Sequence, residues 1–333
     1  MPRAVVFGCE GARLSTREKA FFREADPLGF ILFARNIETP DQVRGLCRDM
    51  REAVGRDCFI MIDQEGGRVA RLRGPHWLEW PNVLEAMALN PSLEAMELRF
   101  KIIALELRDV GIDVNCMPIL DVARDETHPF LKSRCFGFDV ETVVGAGRAC
   151  VRGLEAMGVL PVIKHIPGHG LGQVDSHKGV PVVDASLADL RAVDFKPFQA
   201  FKDQVMGMSS HVVYRSIDDV VGTFSEPVIS MMRQEIGFDG LLFTDDLSMG
   251  ALDGDHASRS VRALKAGCDV ILHCSGNAAH MEQIVAVTPL LGADGERRAN
   301  IVLERRNSLL QPQDIVDIGR LVADYTTMME TDS

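Results

Sequence analysis

One apolar run ends in two acids: Gly240-Leu241-Leu242-Phe243-Thr244-Asp245-Asp246-Leu247-Ser248-Met249. A strand-like segment that stops this abruptly sets a carboxylate at its tip. Side chains alternate direction along a strand, so Asp245 is expected to face a pocket and Asp246 to face away. Asp246 suits the N-cap of a helix that follows.

A second stretch, Lys164-His165-Ile166-Pro167-Gly168-His169-Gly170-Leu171-Gly172-Gln173-Val174-Asp175-Ser176-His177, gathers three histidines, a lysine and an aspartate. Its glycines oppose a helix, so it reads as a long mobile loop. Asp175, two residues before His177, can orient that imidazole and stabilise its cation as in a catalytic dyad.

A third stretch is Asp63-Gln64-Glu65-Gly66-Gly67-Arg68-Val69, with Arg71 just beyond. The paired glycines permit a sharp turn beneath an acid. Asp63 there can accept two hydroxyls, and Arg71 can clamp a further oxygen. A structural, salt-bridged turn fits the same residues equally well.

These residues need a scaffold that brings strand ends together. Apolar runs recur at Ala4–Phe7, Gly29–Phe33, Phe59–Ile62, Ile112–Met117, Pro161–Lys164, Val205–Ser209, Leu241–Thr244 and Asp269–His273. Near-continuous apolar strands suit a parallel sheet buried on both faces. Amphipathic helices are expected between them. One runs from Thr39 to Val54 with a Thr39–Gln42 capping box, and one from Asn90 to Val110 with Pro91 inside its start. Others cover Glu141–Met157, Pro227–Ile236 and His256–Ala266, and one begins near Ser186. Eight strand–helix units predict a single (β/α)8 barrel of the TIM type over residues 1–333, with an open doubly wound sheet as the alternative. Residues after Asn277 are expected to form helices that close the barrel and pack outside it. Polar residues follow seven of the eight strands, the rim at which barrels build their sites.

Composition narrows the function. Hydrophobic residues make up 46% and the formal net charge is −12, with no Lys/Arg stripe, which argues against nucleic acid and anionic membrane surfaces. No leader and no run near the ~20 apolar residues of a membrane span is expected. The eight cysteines form no CxxC pair and read as free buried thiols of a reducing, cytoplasmic compartment.

Taken in order, the KHIPGHG run at 164–170, the DSH at 175–177 and the TDDLSM at 244–249 resemble family 3 glycoside hydrolases, and within them the bacterial β-N-acetylhexosaminidases of peptidoglycan recycling. The resemblance spans about Gly29 to Cys274. It implies Asp245 as nucleophile and His177 as general acid/base, with Asp175 as its partner. It implies that Asp63, Arg71, Arg134, Lys164 and His165 hold the non-reducing sugar. Arg134 lies in Ser133-Arg134-Cys135-Phe136-Gly137, similar to the family's loop after strand 4. Ile166 stands where the family usually has Phe, and Arg124–Pro129 replaces an Asn-Pro-rich stretch. The implied substrate is a small saccharide or muropeptide that loses a terminal N-acetylglucosamine with retention, without metal or organic cofactor.

Three alternatives follow from the residues. One is phosphorolysis, since a neutral histidine repels phosphate less than a carboxylate does. One is a metal-dependent hydrolase using His165, His169, His177, His211 and Asp245. The third is a sugar-binding barrel without turnover.

Overall fold

The computed structural model describes residues 1–90, 92–174, 179–310 and 317–331. Eight parallel strands form one ring. They are β1 (Arg3–Phe7), β2 (Pro27–Leu32), β3 (Phe59–Ile62), β4 (Val114–Asn115), β5 (Leu160–Pro161 continued by Ile163–Ile166), β6 (Met206–Ser209), β7 (Leu241–Phe243) and β8 (Ile271–His273). The register runs Val5↔Ile271, Val6↔Gly29, Gly29↔Phe59, Met61↔Val114, Val114↔Leu160, Ile163↔Gly207 and Leu241↔Met206. The last seam closes between β7 and β8 through the Phe243↔Val270 bridge. Thr244 N–H donates to Val270 O at 3.0 Å and Asp269 N–H to Leu242 O at 2.9 Å. The (β/α)8 barrel is therefore the fold, and the open sheet is excluded.

Alternation along each strand divides the core in two. Ala4, Val6, Met61, Val114, Met206, Leu241, Phe243 and Leu272 fill the barrel interior. Val5, Phe7, Ile60, Ile62 and Leu242 face the surrounding helices. Gly29 is required inside, because a Cβ there would come within 2.4 Å of the Phe59 ring.

Helices form where caps and stripes predict them. Thr39 Oγ1 accepts from Gln42 N–H at 3.3 Å and starts Pro40–Val54. Gln42 Oε1, however, accepts from Glu38 N–H, not from Thr39, so the capping box is incomplete. The helix expected from Asn90 begins at Leu93, capped by Ser92. Asn90 instead fixes the corner: its Oδ1 accepts from Ser92 N–H and its Nδ2 donates to Met328 O. A short helix, Val83–Leu89, precedes that corner and had no counterpart in the sequence reading, although Asn82 caps it. Ala293–Leu309 covers the barrel floor, where Arg306 pairs with buried Asp113 at 2.6 Å. Ile318–Thr331 lies outside, with Tyr325 edge-on to Trp80 at 5.1 Å. All eight cysteines are free and buried. Among the described residues no helix is long and apolar enough to cross a membrane.

The helices Leu93–Asp109 and Val140–Ala156 approach so closely that a Cβ on Gly153 would meet Glu97 O at 2.4 Å and Phe100 Cβ at 2.9 Å. Gly153→Ala is expected to cost about 1–3 kcal/mol through forced separation. Helical propensity alone predicts a gain from the same change. A thermal melt decides between the signs, and a raised melting temperature would contradict the close packing.

Candidate active site

The carboxyl ends of the strands form one open cleft. Asp63, Arg71, Arg134, Lys164, His165, His169, Asp245 and Asp246 all line it, as do Arg68, His128 and Phe130. Six of the eight site residues singled out in the sequence are thus brought together. Asp175 and His177 lie outside the described residues.

Asp63 follows β3 directly. The next turn is tight: Gly66 has φ 113° and Gly67 φ 55°, a left-handed backbone that favours glycine. Asp63 Oδ2 pairs with Arg71 at 3.0 Å, and its Oδ1 accepts from Lys164 Nζ at 2.9 Å. Lys164 also reaches Glu65 Oε1 at 2.7 Å. Arg134 grips Glu65 with two donors, Nε at 2.9 Å and Nη2 at 2.8 Å, the bidentate geometry that a guanidinium offers a carboxylate. The result is a chain of alternating charge, Arg71–Asp63–Lys164–Glu65–Arg134. The salt-bridged turn expected of the third motif is present, and Asp63 also lines the cleft.

The electrostatics follow from burial and pairing. Burial alone would raise the Asp63 carboxyl, but Lys164 and Arg71 hold it well below the usual carboxylate range. Glu65 is lowered too, burial being overcome by Arg134 and Lys164. The Lys164 ammonium is pushed up, because Asp63 and Glu65 outweigh its loss of solvent. Each charge is retained because its partners are present.

Asp245 is half-buried just past β7. Its Oδ1 accepts from Asp246 N–H at 2.7 Å, and its Oδ2 has no hydrogen-bond partner among the described residues. Burial raises this carboxyl, but the fields of His211, His165 and Lys164 bring it below its ordinary value, so it is ionised at neutral pH. Asp246, expected to face away, also borders the cleft, but its carboxylate is committed to its own turn. Its Oδ1 accepts from Ser248 and Cys274 N–H, and Oδ2 from the Ser248 hydroxyl. It caps a turn, because the next helix begins only at His256.

The first half of the Gly-rich stretch is a correction. Residues 164–170 are buried, and β5 runs on to Ile166. Asp121 explains the order. Its Oδ2 lies 2.7 Å from His165 Nδ1, and its Oδ1 accepts from His169 N–H at 2.7 Å. Gly170 lies so close to Val122 that a Cβ would meet Val122 O at 2.0 Å. Burial lowers the His169 imidazole to about 4, keeping it neutral. His211 stands behind the Asp245–Asp246 turn, with Nδ1 2.8 Å from Thr223 Oγ1 and Nε2 3.2 Å from Asp246 O. With ring nitrogens of His165 and His211 so engaged, no group of three His, Cys, Asp or Glu among the described residues is placed to hold a metal.

Glu65 and Asp121 were absent from the expected site, and His211 was named only as a ligand in the metal-dependent alternative. Glu65 was visible in its motif, but its partners stand far away in the chain, Lys164 within β5 and Arg134 after β4. Spacing cannot show such pairings.

Residues 11–295 match the model of the glycosyl hydrolase family 3 N-terminal domain. The chain is 37% identical over 283 residues to a beta-hexosaminidase of Pseudomonas aeruginosa, covering 84% of each. NagZ of Neisseria gonorrhoeae superposes with a TM-score of 0.84 at 28% identity, over 100% of this chain and 99% of that one. A fungal multi-domain β-N-acetylglucosaminidase of the same family gives a TM-score of 0.86 at 26% identity over 99% of this chain, which spans 42% of that longer protein.

Proposed function

The chain belongs to glycosyl hydrolase family 3, and from that premise we propose a retaining exo-β-N-acetylglucosaminidase that releases terminal N-acetylglucosamine from peptidoglycan-derived muropeptides. The coarser statement, a glycoside hydrolase of the β-hexosaminidase kind, follows from the relatives. The finer one is supported above all by one observation: an ionised Asp245, whose Oδ2 has no hydrogen-bond partner among the described residues, shares a cleft with the Asp63–Lys164–Glu65–Arg134 network.

In this reading Asp63, Arg71, Arg134, Lys164 and His165 hold the sugar's hydroxyls and acetamido group. Asp245 Oδ2 attacks C1, and the bond from C1 to the leaving oxygen breaks. His177 gives its proton to that oxygen, with Asp175 steadying the imidazolium. Water then attacks C1, His177 takes its proton, and the C1–Asp245 ester opens to give the sugar with its configuration retained. A histidine serves both steps because its ordinary pKa, ~6.5, lies near working pH. Buried free thiols support placement in the reducing cytoplasm.

Trapping with a 5-fluoro N-acetylglucosaminide tests the scheme. A sugar mass on the peptide carrying Asp245 is expected, and a label on any other residue overturns the assignment. Product analysis in phosphate buffer separates hydrolysis from phosphorolysis: free N-acetylglucosamine is expected, not its 1-phosphate.

A further inference from the structure

The turn that carries Glu65 is gripped from behind by a cation outside the charge network. Arg99, on the helix Leu93–Asp109, is fully buried. Its Nη2 donates to two backbone carbonyls, Glu65 O at 2.9 Å and Pro81 O at 2.7 Å. Its Nε and Nη1 have no hydrogen-bond partner among the described residues, and no carboxylate among them pairs with it. Burial brings this guanidinium down to about 10, with Tyr325 and Cys150 opposing the fall, so it stays charged at neutral pH.

A buried charge with idle donors is costly. Two rings offset part of that cost: the guanidinium lies over Trp80, 5.4 Å from its centroid, and over Phe100 at 5.7 Å. The turn is moulded to it. A Cβ on Gly66 would collide with Arg99 Nη2 and with Pro81 O, and Gly67 N–H donates to Trp80 O at 2.8 Å. Arg99 therefore ties the turn after β3 to the segment 80–82. The carbonyl it holds belongs to Glu65, whose carboxylate fixes Lys164 at 2.7 Å and Arg134 through two donors. An apolar side chain of similar volume would fill this space without a buried charge, but it would not hold that carbonyl.

We propose that Arg99 is a positioning residue for the reaction: by holding the Glu65 carbonyl from outside the cleft, it fixes the Glu65 carboxylate where Lys164 and Arg134 must stand to meet the sugar. The inference rests on the glycosidase reading above. Arg99 is not among the residues that line the cleft, so it acts only through Glu65. A misplacement of about 1 Å in groups that orient a substrate costs about 10^2-fold in rate, so a turn released on one side is enough to matter.

A double-mutant cycle tests it, with Arg99→Met, Glu65→Gln and the pair, on an aryl N-acetyl-β-glucosaminide. In the otherwise wild-type chain, Arg99→Met is expected to lower kcat/KM by about 10–10^2-fold. Its melting temperature is expected to stay within a few degrees of the wild type, because the lost contacts to Glu65 O and Pro81 O are offset by removal of an unpaired buried charge. In Glu65→Gln, where the carboxylate is already gone, the same change is expected to cost less than about threefold. Arg99→Lys is expected to recover part of the loss, since an ammonium keeps a charged donor without the fork. Should Arg99→Met fail to fold, Arg99→Gln carries the same cycle. An unchanged kcat/KM in the folded variant overturns the proposal, and so does an equal loss in both backgrounds, which would make Arg99 a general support of the fold. The glycosidase reading survives either result. A folded wild type that leaves the glycoside intact removes that reading and the inference with it.

Discussion

Asp245→Ala is expected to cut kcat/KM on an aryl N-acetyl-β-glucosaminide by about 10^4-fold or more, the scale seen when a covalent nucleophile is removed. The melting temperature is expected to stay within a few degrees of the wild type. The contrast arises because the carboxylate has few structural duties. It is half-buried, its Oδ1 is held by one backbone N–H, and its Oδ2 is uncommitted among the described residues. A group pre-charged by His211 and His165 and lacking a partner at one oxygen is poised for attack. The sign of the pH effect follows. The folded carboxyl is lowered, so its ionisation stabilises the fold above the unfolded value of ~3.9, and that contribution disappears as pH falls through the lower folded value. Asp245 is therefore already anionic through the range in which a histidine titrates, and the acid limb of kcat/KM is not expected at ordinary carboxylate pH values. Retention of substantial turnover by a folded Asp245→Ala protein would remove the residue from the chemistry.

Lys164→Met is expected to damage stability and catalysis together. The lysine side chain is 2% exposed and stands 2.9 Å from Asp63 and 2.7 Å from Glu65. Replacing it by an apolar chain leaves two carboxylates sharing a buried space, with only Arg71 and Arg134 to compensate. Removing one member of such a buried network costs about 3–5 kcal/mol. The wild-type carboxyls sit below their unfolded values, so at neutral pH their ionisation supports the fold. Without Lys164 their folded values rise, and the penalty is largest where both must stay charged. It shrinks as falling pH protonates them. Urea unfolding at about pH 7 and about pH 5 reads this directly: the difference between variant and wild type is expected to be larger at the higher pH. An equal difference at both pH values would mean that lost packing, not charge, sets the cost. Turnover is expected to fall by at least about 10^2, since misplacing groups that orient the sugar costs that much.

The rim chemistry was legible because it is local. Asp63 directly follows β3 and Asp245 stands two residues past β7, so in both cases an apolar run ending in an acid marked the strand tip. The glycines at 66 and 67 announced a turn that does need positive φ. Asp246 was readable as a cap, though not as the cap of a turn. The expected loop over residues 164–170 was not. Glycine-rich composition suggests freedom, but here glycine supplies close approach: Gly170 fits against the Val122 backbone, and Asp121 fixes His165 and His169 from beneath. The corner at Asn90 was misplaced for a similar reason, its side chain being committed to Met328 in the last helix. Asp175 and His177 lie outside the described residues, so their roles stand on motif and family alone.

What the sequence determined by itself was the order of the eight strands and of the longer helices between several of them, the residues at the strand tips and the family they belong to. All of these are set by periodicity and short motifs within one segment. Only the tertiary structure decided the partnerships: Lys164 with Glu65, Arg134 across the same carboxylate, and Asp121 under two histidines. The physical reason is ring closure. Joining β7 to β8 brings eight strand ends to one rim, and which charges then meet depends on register and burial summed around the whole barrel, a quantity no local pattern contains.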